Sequence, residues 1–229
     1  AKYAGVLSLG AAEKPFVEKL PLDKETAPTV AALFGGDLSV LTTLDIDLAT
    51  ALAEFKGQDL QLDGLTALDT VAAEALAKYA GNFLSFEGLT TLNAADAKAL
   101  ATFNGQSIVL AGLTTLDPAA AKALAAFQGE SLVLEGLTTL DIETAKALAE
   151  YAGVVTLPED VVNDLMAEHP FDRDIDPDLA LAYAMLAGGE LESVTAFESP
   201  DSVAIAKALA ARKGPLSLPN LKKISPKTL

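Results

Sequence analysis

Residues 129–152 read GESLVLEGLTTLDIETAKALAEYA, and this stretch is the unit from which most of the chain is built. Close copies begin at Gly57, Gly81 and Gly105, at intervals of 24 residues, and a further copy starts at Gly153. A fixed period of this size indicates stacked units, because no single unit can bury its apolar face alone. The sequence therefore predicts a repeat architecture.

Each unit contains the pattern of a short strand followed by that of a short helix. Leu132 and Leu134 are separated by one residue, which is the period of a strand with one buried face. Ala145, Leu148 and Ala149 follow at the i, i+3, i+4 spacing of a helix with one apolar side. The unit thus predicts a strand, a turn, a helix and a second turn.

Helix boundaries are marked in a similar way in the copies. A carboxylate before a helix can accept a hydrogen bond from the first free amides, and Pro118 fits a first helical position. The predicted capping residues are Asp45, Asp69, Asn93, Asp117 and Asp141. Gly129 and its equivalents are predicted to end the preceding helix in a left-handed conformation.

The pattern Leu-x-Leu-x-x-Leu-x-x-Leu-Asp-x-x-x-Ala-x-Ala-Leu-Ala resembles leucine-rich repeats and is similar to their cysteine-containing subtype. Leu60 and Leu62 match the strand pair of that subtype, Leu65 stands at its Cys position, and Leu68 and Asp69 stand at its Ile and Asp. The chain differs in having no Cys, no Asn ladder, and Gly at the leading Leu position. The resemblance implies a divergent bacterial-type α/β solenoid. It would be right-handed, with parallel strands on a concave face and short helices on a convex face.

The whole chain, residues 1–229, is predicted to form a single repeat array. Regular repeats occupy residues 57–153, an irregular repeat with an insertion occupies 154–188, and divergent repeats occupy 5–57 and 188–229. Polar capping repeats normally close such arrays, and neither end of this sequence resembles one. We therefore expect a segment of a longer array, or an array that stacks on neighbouring repeats.

Composition argues against several classes of partner. The chain has 32 acidic and 16 basic residues and a formal net charge of −16, so nucleic acid and anionic lipid are not expected to bind. It has no Cys, which excludes disulfides and thiol chemistry. No apolar run has membrane-spanning length, so membrane insertion is not expected. Compartment stays open, with an extracytoplasmic or cell-surface location as the expectation.

No group of residues typical of an enzyme is apparent, so we interpret the chain as non-catalytic, with no cofactor. His169 is the single histidine, and no Gly-rich phosphate loop accompanies it. No metal site is predicted either. The nearest candidates, Asp172, Asp174 and Asp176, lack the Gly and Glu of a calcium-binding loop and are interpreted as part of a solvated loop.

Paired threonines recur at the turn that follows each strand. They stand at residues 42–43, 90–91, 114–115 and 138–139 and are predicted to stack into a ladder. One interpretation is a row that faces ice or a glycan. The preferred interpretation is that the hydroxyls satisfy backbone amides of the turns, as Ser and Thr commonly do.

The remaining candidate for function is the outward face of the predicted sheet, since alternate strand residues point away from the core. The candidate binding residues on this predicted concave face are Asp59, Gln61, Asp63, Phe83, Ser85, Glu87, Val109, Val133 and Glu135. They mix carboxylates with apolar side chains, so we expect a protein or peptide ligand that is basic or amphipathic.

Two functions are therefore carried forward. The first is protein–protein recognition through the concave face. The alternative is a structural component, for example at a cell surface, that assembles by stacking through uncapped repeat ends.

An insertion at residues 158–176 interrupts the period. Residues 161–168 are predicted to form an extra helix, which docks either on a partner or back on its own array. Its apolar face consists of Val161, Val162, Leu165 and Met166.

Overall fold

The computed structural model describes residues 22–169, 176–186, 196–197, 202–211, 217–220 and 222–224. Predictions for the first 21 residues, for Asp172 and Asp174, and for most of residues 188–229 lie outside the described residues. In the part of the chain that is described, no helix is long and apolar enough to cross a membrane.

Short helices alternate with short strands along most of the chain. The helices are α1 (Ala27–Leu33), α2 (Ile46–Ala53), α3 (Thr70–Leu76), α4 (Ala94–Leu100), α5 (Pro118–Leu124), α6 (Ile142–Ala149), α7 (Glu159–Glu168), α8 (Pro177–Leu186) and α9 (Ser202–Ala211). The strands are β1 (Asp59–Gln61), β2 (Phe83–Ser85), β3 (Ser107–Val109), β4 (Ser131–Val133), β5 (Val154–Thr156), β6 (Ala196–Phe197) and β7 (Lys223–Ile224).

Strands β1 to β5 form one parallel sheet in sequence order, while β6 and β7 form a separate parallel pair. Along the sheet, Leu60 pairs with Leu84, Leu84 with Ile108, and Ile108 with Leu132. All four side chains are buried. Equivalent positions of successive units therefore pair in parallel, and the arrangement is an α/β fold compatible with a stack of solenoid-like units.

A side-chain cap begins each helix from α2 to α6. The first-turn amides have no partner within the helix, so a carboxylate or amide oxygen there stabilises the helix start. The residues that accept a hydrogen bond from the amide three positions later are Asp45, Asp69, Asn93, Asp117 and Asp141. These predicted caps are confirmed, as is Pro118 in the first turn of α5.

A column of stacked aromatic rings runs through the core where the helices end. Successive ring centroids are 6.0 to 6.2 Å apart with nearly parallel planes, a separation at which aromatic pairs attract. The aromatic column consists of Phe55, Tyr79, Phe103, Phe127 and Tyr151. Because one ring comes from each unit, the column joins the units into one continuous core.

The prediction for the repeat glycines is wrong for Gly57, Gly81, Gly105, Gly129 and Gly153, whereas Gly35, which follows α1, has a φ of 64°. Among the described residues, a positive φ occurs only at Gly35 and Gly36, so Gly129 does not end a helix in the left-handed conformation. Glycine is needed at position 129 for space. A Cβ there would lie 2.2 Å from the Phe127 ring and 2.7 Å from the carbonyl oxygen of Gln106 in the preceding unit.

The extra helix of the insertion, α7, docks on its own chain. Val161, Val162 and Leu165 are buried in the common core, and Met166 is partly buried against it. The hydroxyl of Tyr183 in α8 donates to the carbonyl oxygen of His169 at 2.7 Å. The apolar face of α7 is therefore largely used for packing.

Candidate binding face

The candidate site is the outward side of the five-stranded sheet, here called the sheet face. Its first row is Asp59, Phe83, Ser107, Ser131 and Val154, and its second row is Gln61, Ser85, Val109, Val133 and Thr156. A third row, two residues further along each unit, is Asp63, Glu87, Ala111 and Glu135. Alternation along each strand places these side chains opposite the buried leucines.

Exposure varies strongly between positions of the sheet face. Asp59, Glu87 and Glu135 are exposed, while Gln61, Asp63, Phe83 and Val133 are half-buried. Ser85 and Val109 are only 3% and 7% exposed, and both lie on strands with a neighbour on each side. The surface available to a ligand therefore comes from Asp59 and Val154 on the edge strands, from the half-buried Phe83 and Val133, and from the third row.

Asp63 links two neighbouring units. One oxygen of its carboxylate accepts hydrogen bonds from the Ser85 hydroxyl at 2.5 Å and from the Glu87 amide at 3.0 Å. These bonds hold the start of the third row in place beside Glu87. Asp63 thus positions its neighbours, a role that sequence patterning did not predict.

The three rows of the sheet face carry acids without Lys or Arg, whereas the helices carry charges of both signs. None of the positions in the three rows carries Lys or Arg, although Asp59, Glu87 and Glu135 are exposed acids. A row of lysines instead lies on α4, α5 and α6, at Lys98, Lys122 and Lys146. Like charges that face a common surface create a potential that attracts oppositely charged groups.

Asp176, one of the weak metal candidates, has a structural role. It begins α8, accepts a hydrogen bond from the Asp178 amide at 2.9 Å, and forms an ion pair with Lys146 of α6. The hydrogen bond from Lys146 holds the pKa of the Asp176 carboxyl below its usual value. Among the described residues, no group of three or more potential metal ligands lies together.

The paired threonines form a ladder, although the atoms involved differ from the prediction. The hydroxyl of Thr138 donates to the carbonyl oxygen of Thr114 at 3.1 Å, and that of Thr114 lies 3.5 Å from the carbonyl oxygen of Thr90. The hydroxyls thus bond carbonyls of the preceding unit instead of amides of their own turn. The ladder therefore contributes to stacking of the units.

A groove of about 650 Å³ lies between the threonine ladder and the helix starts, with Thr91, Thr115 and Thr139 among its lining residues. At its base Asp96 is a carboxylate only 4% exposed. It accepts hydrogen bonds from the Thr70 hydroxyl at 2.5 Å and from the Asn93 amide at 2.6 Å. Both oxygens are therefore used within the protein.

The buried carboxylate of Asp96 is not among the predicted site residues, although the repeats contain a signal for it. Asp96 occupies a position where the neighbouring units carry Ala72 and Ala120, and both alanines are buried. An acid that replaces a repeated buried alanine requires nearby donors.

His169, the single histidine, is exposed at the end of α7.

Comparison of this chain with protein-family models, with curated proteins and with solved structures gives no match.

Proposed function

We propose that the chain is a right-handed, leucine-rich-repeat-like solenoid of divergent type. A helix is about 10 Å wide, whereas neighbouring strands are only about 4.8 Å apart. A stack with one strand and one helix per unit therefore bends so that the sheet lies on the inner side. On this basis the sheet face is concave and the helices lie on the convex side.

The proposed function is non-catalytic recognition of a basic or amphipathic protein or peptide by the sheet face. One observation carries this proposal: the accessible acids Asp59, Glu87 and Glu135 border the apolar side chains of Phe83 and Val133, and none of the described positions in the three rows carries Lys or Arg. Apolar contact supplies binding free energy, and complementary charge supplies selectivity and a faster association rate.

The test is selection of peptides from a random displayed library against the intact chain. Binding of the selected peptides is then measured for the double variant Glu87→Lys/Glu135→Lys. Glu74→Lys/Glu150→Lys is the matched control, because both residues are exposed and belong to the helical part of their units. The two double variants change the net charge by the same amount.

We expect selected peptides to be rich in Lys or Arg and to bind the sheet-face variant at least tenfold more weakly, a loss of about 1.4 kcal/mol. The control variant should bind nearly as tightly as the unmodified chain. Equal weakening in both variants would show that net charge alone attracts the peptides, and would contradict recognition by the sheet face.

Assembly of the units into longer stacks is the second candidate function. It is favoured by β5, which pairs only with β4 among the described residues and carries Val154 at 65% exposure. Exposed strand edges can pair with another chain. If assembly is the function, sedimentation of the chain should show concentration-dependent association, and Val154→Lys should weaken it.

A further inference from the structure

We infer that the ligand of the sheet face is a basic amphipathic helix lying across the strands, an inference that rests on the function proposed above. An extended segment is the other form that a peptide could take on a sheet. The spacing of the rows and the distribution of charge on the sheet face distinguish the two forms.

The spacing between strands nearly matches the spacing of residues along one side of a helix. Successive strands are about 4.8 Å apart, so every second strand is about 9.6 Å away. A helix rises about 1.5 Å per residue, which places residues i+3 and i+7 about 4.5 and 10.5 Å along its axis. Apolar residues along one side of a helix therefore recur at nearly the same distances as the strands.

The residue spacing of an extended chain does not match the distance between strands. Its same-side residues recur about every 6.6 Å, so they fall between strands that are about 4.8 Å apart. An extended ligand could instead pair as an additional strand at the edge of the sheet. It would then contact β5 and not the acidic rows. The geometry of the sheet face therefore favours a helix.

The arrangement of apolar and acidic side chains on the sheet face also favours a helix. Phe83 and Val154 lie in the first row and Val133 in the second, whereas the exposed acids are Glu87 and Glu135 in the third row and Asp59 at the β1 end of the first row. Rows are about 6.6 Å apart along the strands, so a helix about 10 Å wide covers two rows and borders the third. An apolar helix face can then pack on the first two rows while its Lys or Arg side chains meet the third.

The size of the sheet sets the length of the ligand. Five strands form the sheet, so four intervals of about 4.8 Å extend over about 19 Å. At about 1.5 Å per residue, a helix of about 13 residues covers that distance. The ligand segment is therefore expected to have three to four turns.

The experiment compares three synthetic peptides of about 14 residues, a length chosen to cover the sheet as a helix. The first has Leu and Lys at helical spacing, the second has the same composition in strict alternation, and the third is the first with a central Pro, which breaks a helix. Calorimetric titration with the intact chain gives the affinities, and circular dichroism of the mixtures reports helix formation.

We expect the helical peptide to bind at least tenfold more tightly than the other two and to gain helicity on binding. Glu87→Lys/Glu135→Lys should remove this difference, and Glu74→Lys/Glu150→Lys should retain it. If the alternating peptide binds as tightly as the helical one, or if no peptide binds, the helical inference is wrong. Library selection tests the wider proposal separately, because sheet-face-dependent binding of extended peptides would leave recognition intact.

Discussion

The hydroxyl of Tyr151 donates a hydrogen bond of 2.9 Å to the carbonyl oxygen of Gly129 in the preceding unit. Tyr79 occupies the same position of the aromatic column, but its hydroxyl is buried without a hydrogen-bond partner among the described residues, and the residue is 1% exposed. Phe103 and Phe127 fill the equivalent positions between them. The column thus contains a paired hydroxyl, an unpaired hydroxyl and, with Phe55, three rings that carry no hydroxyl.

This contrast predicts opposite effects for two identical substitutions. Tyr79→Phe should stabilise the fold by about 1 kcal/mol, because it removes a buried polar group that gains no hydrogen bond. Tyr151→Phe should destabilise the fold by about 1 kcal/mol, because it removes a formed hydrogen bond. Denaturant unfolding of both variants measures the difference, and equal effects would contradict the assignment.

The same tyrosines predict a loss of stability in alkali. Burial raises the pKa of Tyr79 and of Tyr151 from 10.0 to about 12. The unfolded chain releases these protons first, so the stabilising contribution is complete below about pH 10 and is lost as pH rises towards about 12. Unfolding measured across this range should show falling stability. A Tyr79→Phe/Tyr151→Phe variant should show a shallower decline, and an unchanged slope would contradict the prediction.

Shortening a buried side chain should destabilise the fold much more than shortening an exposed side chain of the same helix. Leu124 of α5 is fully buried, so Leu124→Ala should destabilise the fold by roughly 2–5 kcal/mol, the range for a cavity that cannot close. Lys122 on the same helix is exposed, and Lys122→Ala should change stability by less than about 0.5 kcal/mol. Similar denaturation midpoints for the two variants would rule out the observed helix orientation.

Adding a single methyl group at Gly129 should destabilise the fold. In Gly129→Ala the new methyl would overlap the Phe127 ring and the Gln106 carbonyl, so we expect a cost of about 1–3 kcal/mol. The neighbouring exposed residue provides the control, and Gln128→Ala should have little effect. Thermal unfolding of both variants is the measurement. A stable Gly129→Ala protein would mean that the close contact with the ring is absent in solution.

The ion pair between Lys146 and Asp176 predicts that two substitutions of Asp176 destabilise the fold to different extents. Asp176→Asn retains a capping side chain but loses the charge, so it should cost less than about 1 kcal/mol, as expected for partly exposed pairs. Asp176→Ala also loses the cap and should cost about 1 kcal/mol more. The pKa of Asp176 is lowered, so the pair stabilises the fold above about pH 4 and is lost on further acidification. Unfolding of the two variants at neutral and acidic pH tests the order. Convergence of Asp176→Asn with the unmodified chain at acidic pH is expected.

The sequence by itself determined the features that depend on one unit. The alternation of Leu60 and Leu62 specifies which strand face is buried, and Asp69 caps α3 through the amide of Ala72, three residues away. Equal spacing of the copies then determines that like positions pair across the sheet, as Leu60 does with Leu84. These features could be predicted because their physical causes are local or repeat at a constant interval.

Tertiary structure alone decided the features that depend on contacts between units. The sequence could not show that Val109 is covered by neighbouring strands, or that Gly129 is constrained by a carbonyl of the preceding unit. The exchange of a repeated buried alanine for Asp96 is visible in the sequence, but only the structure identifies the group that satisfies this carboxylate, the hydroxyl of Thr70, 26 residues earlier. Burial and hydrogen bonding at these positions depend on atoms brought within a few ångströms by stacking. Their outcome is therefore set by packing geometry, which differs between units whose sequences are almost the same.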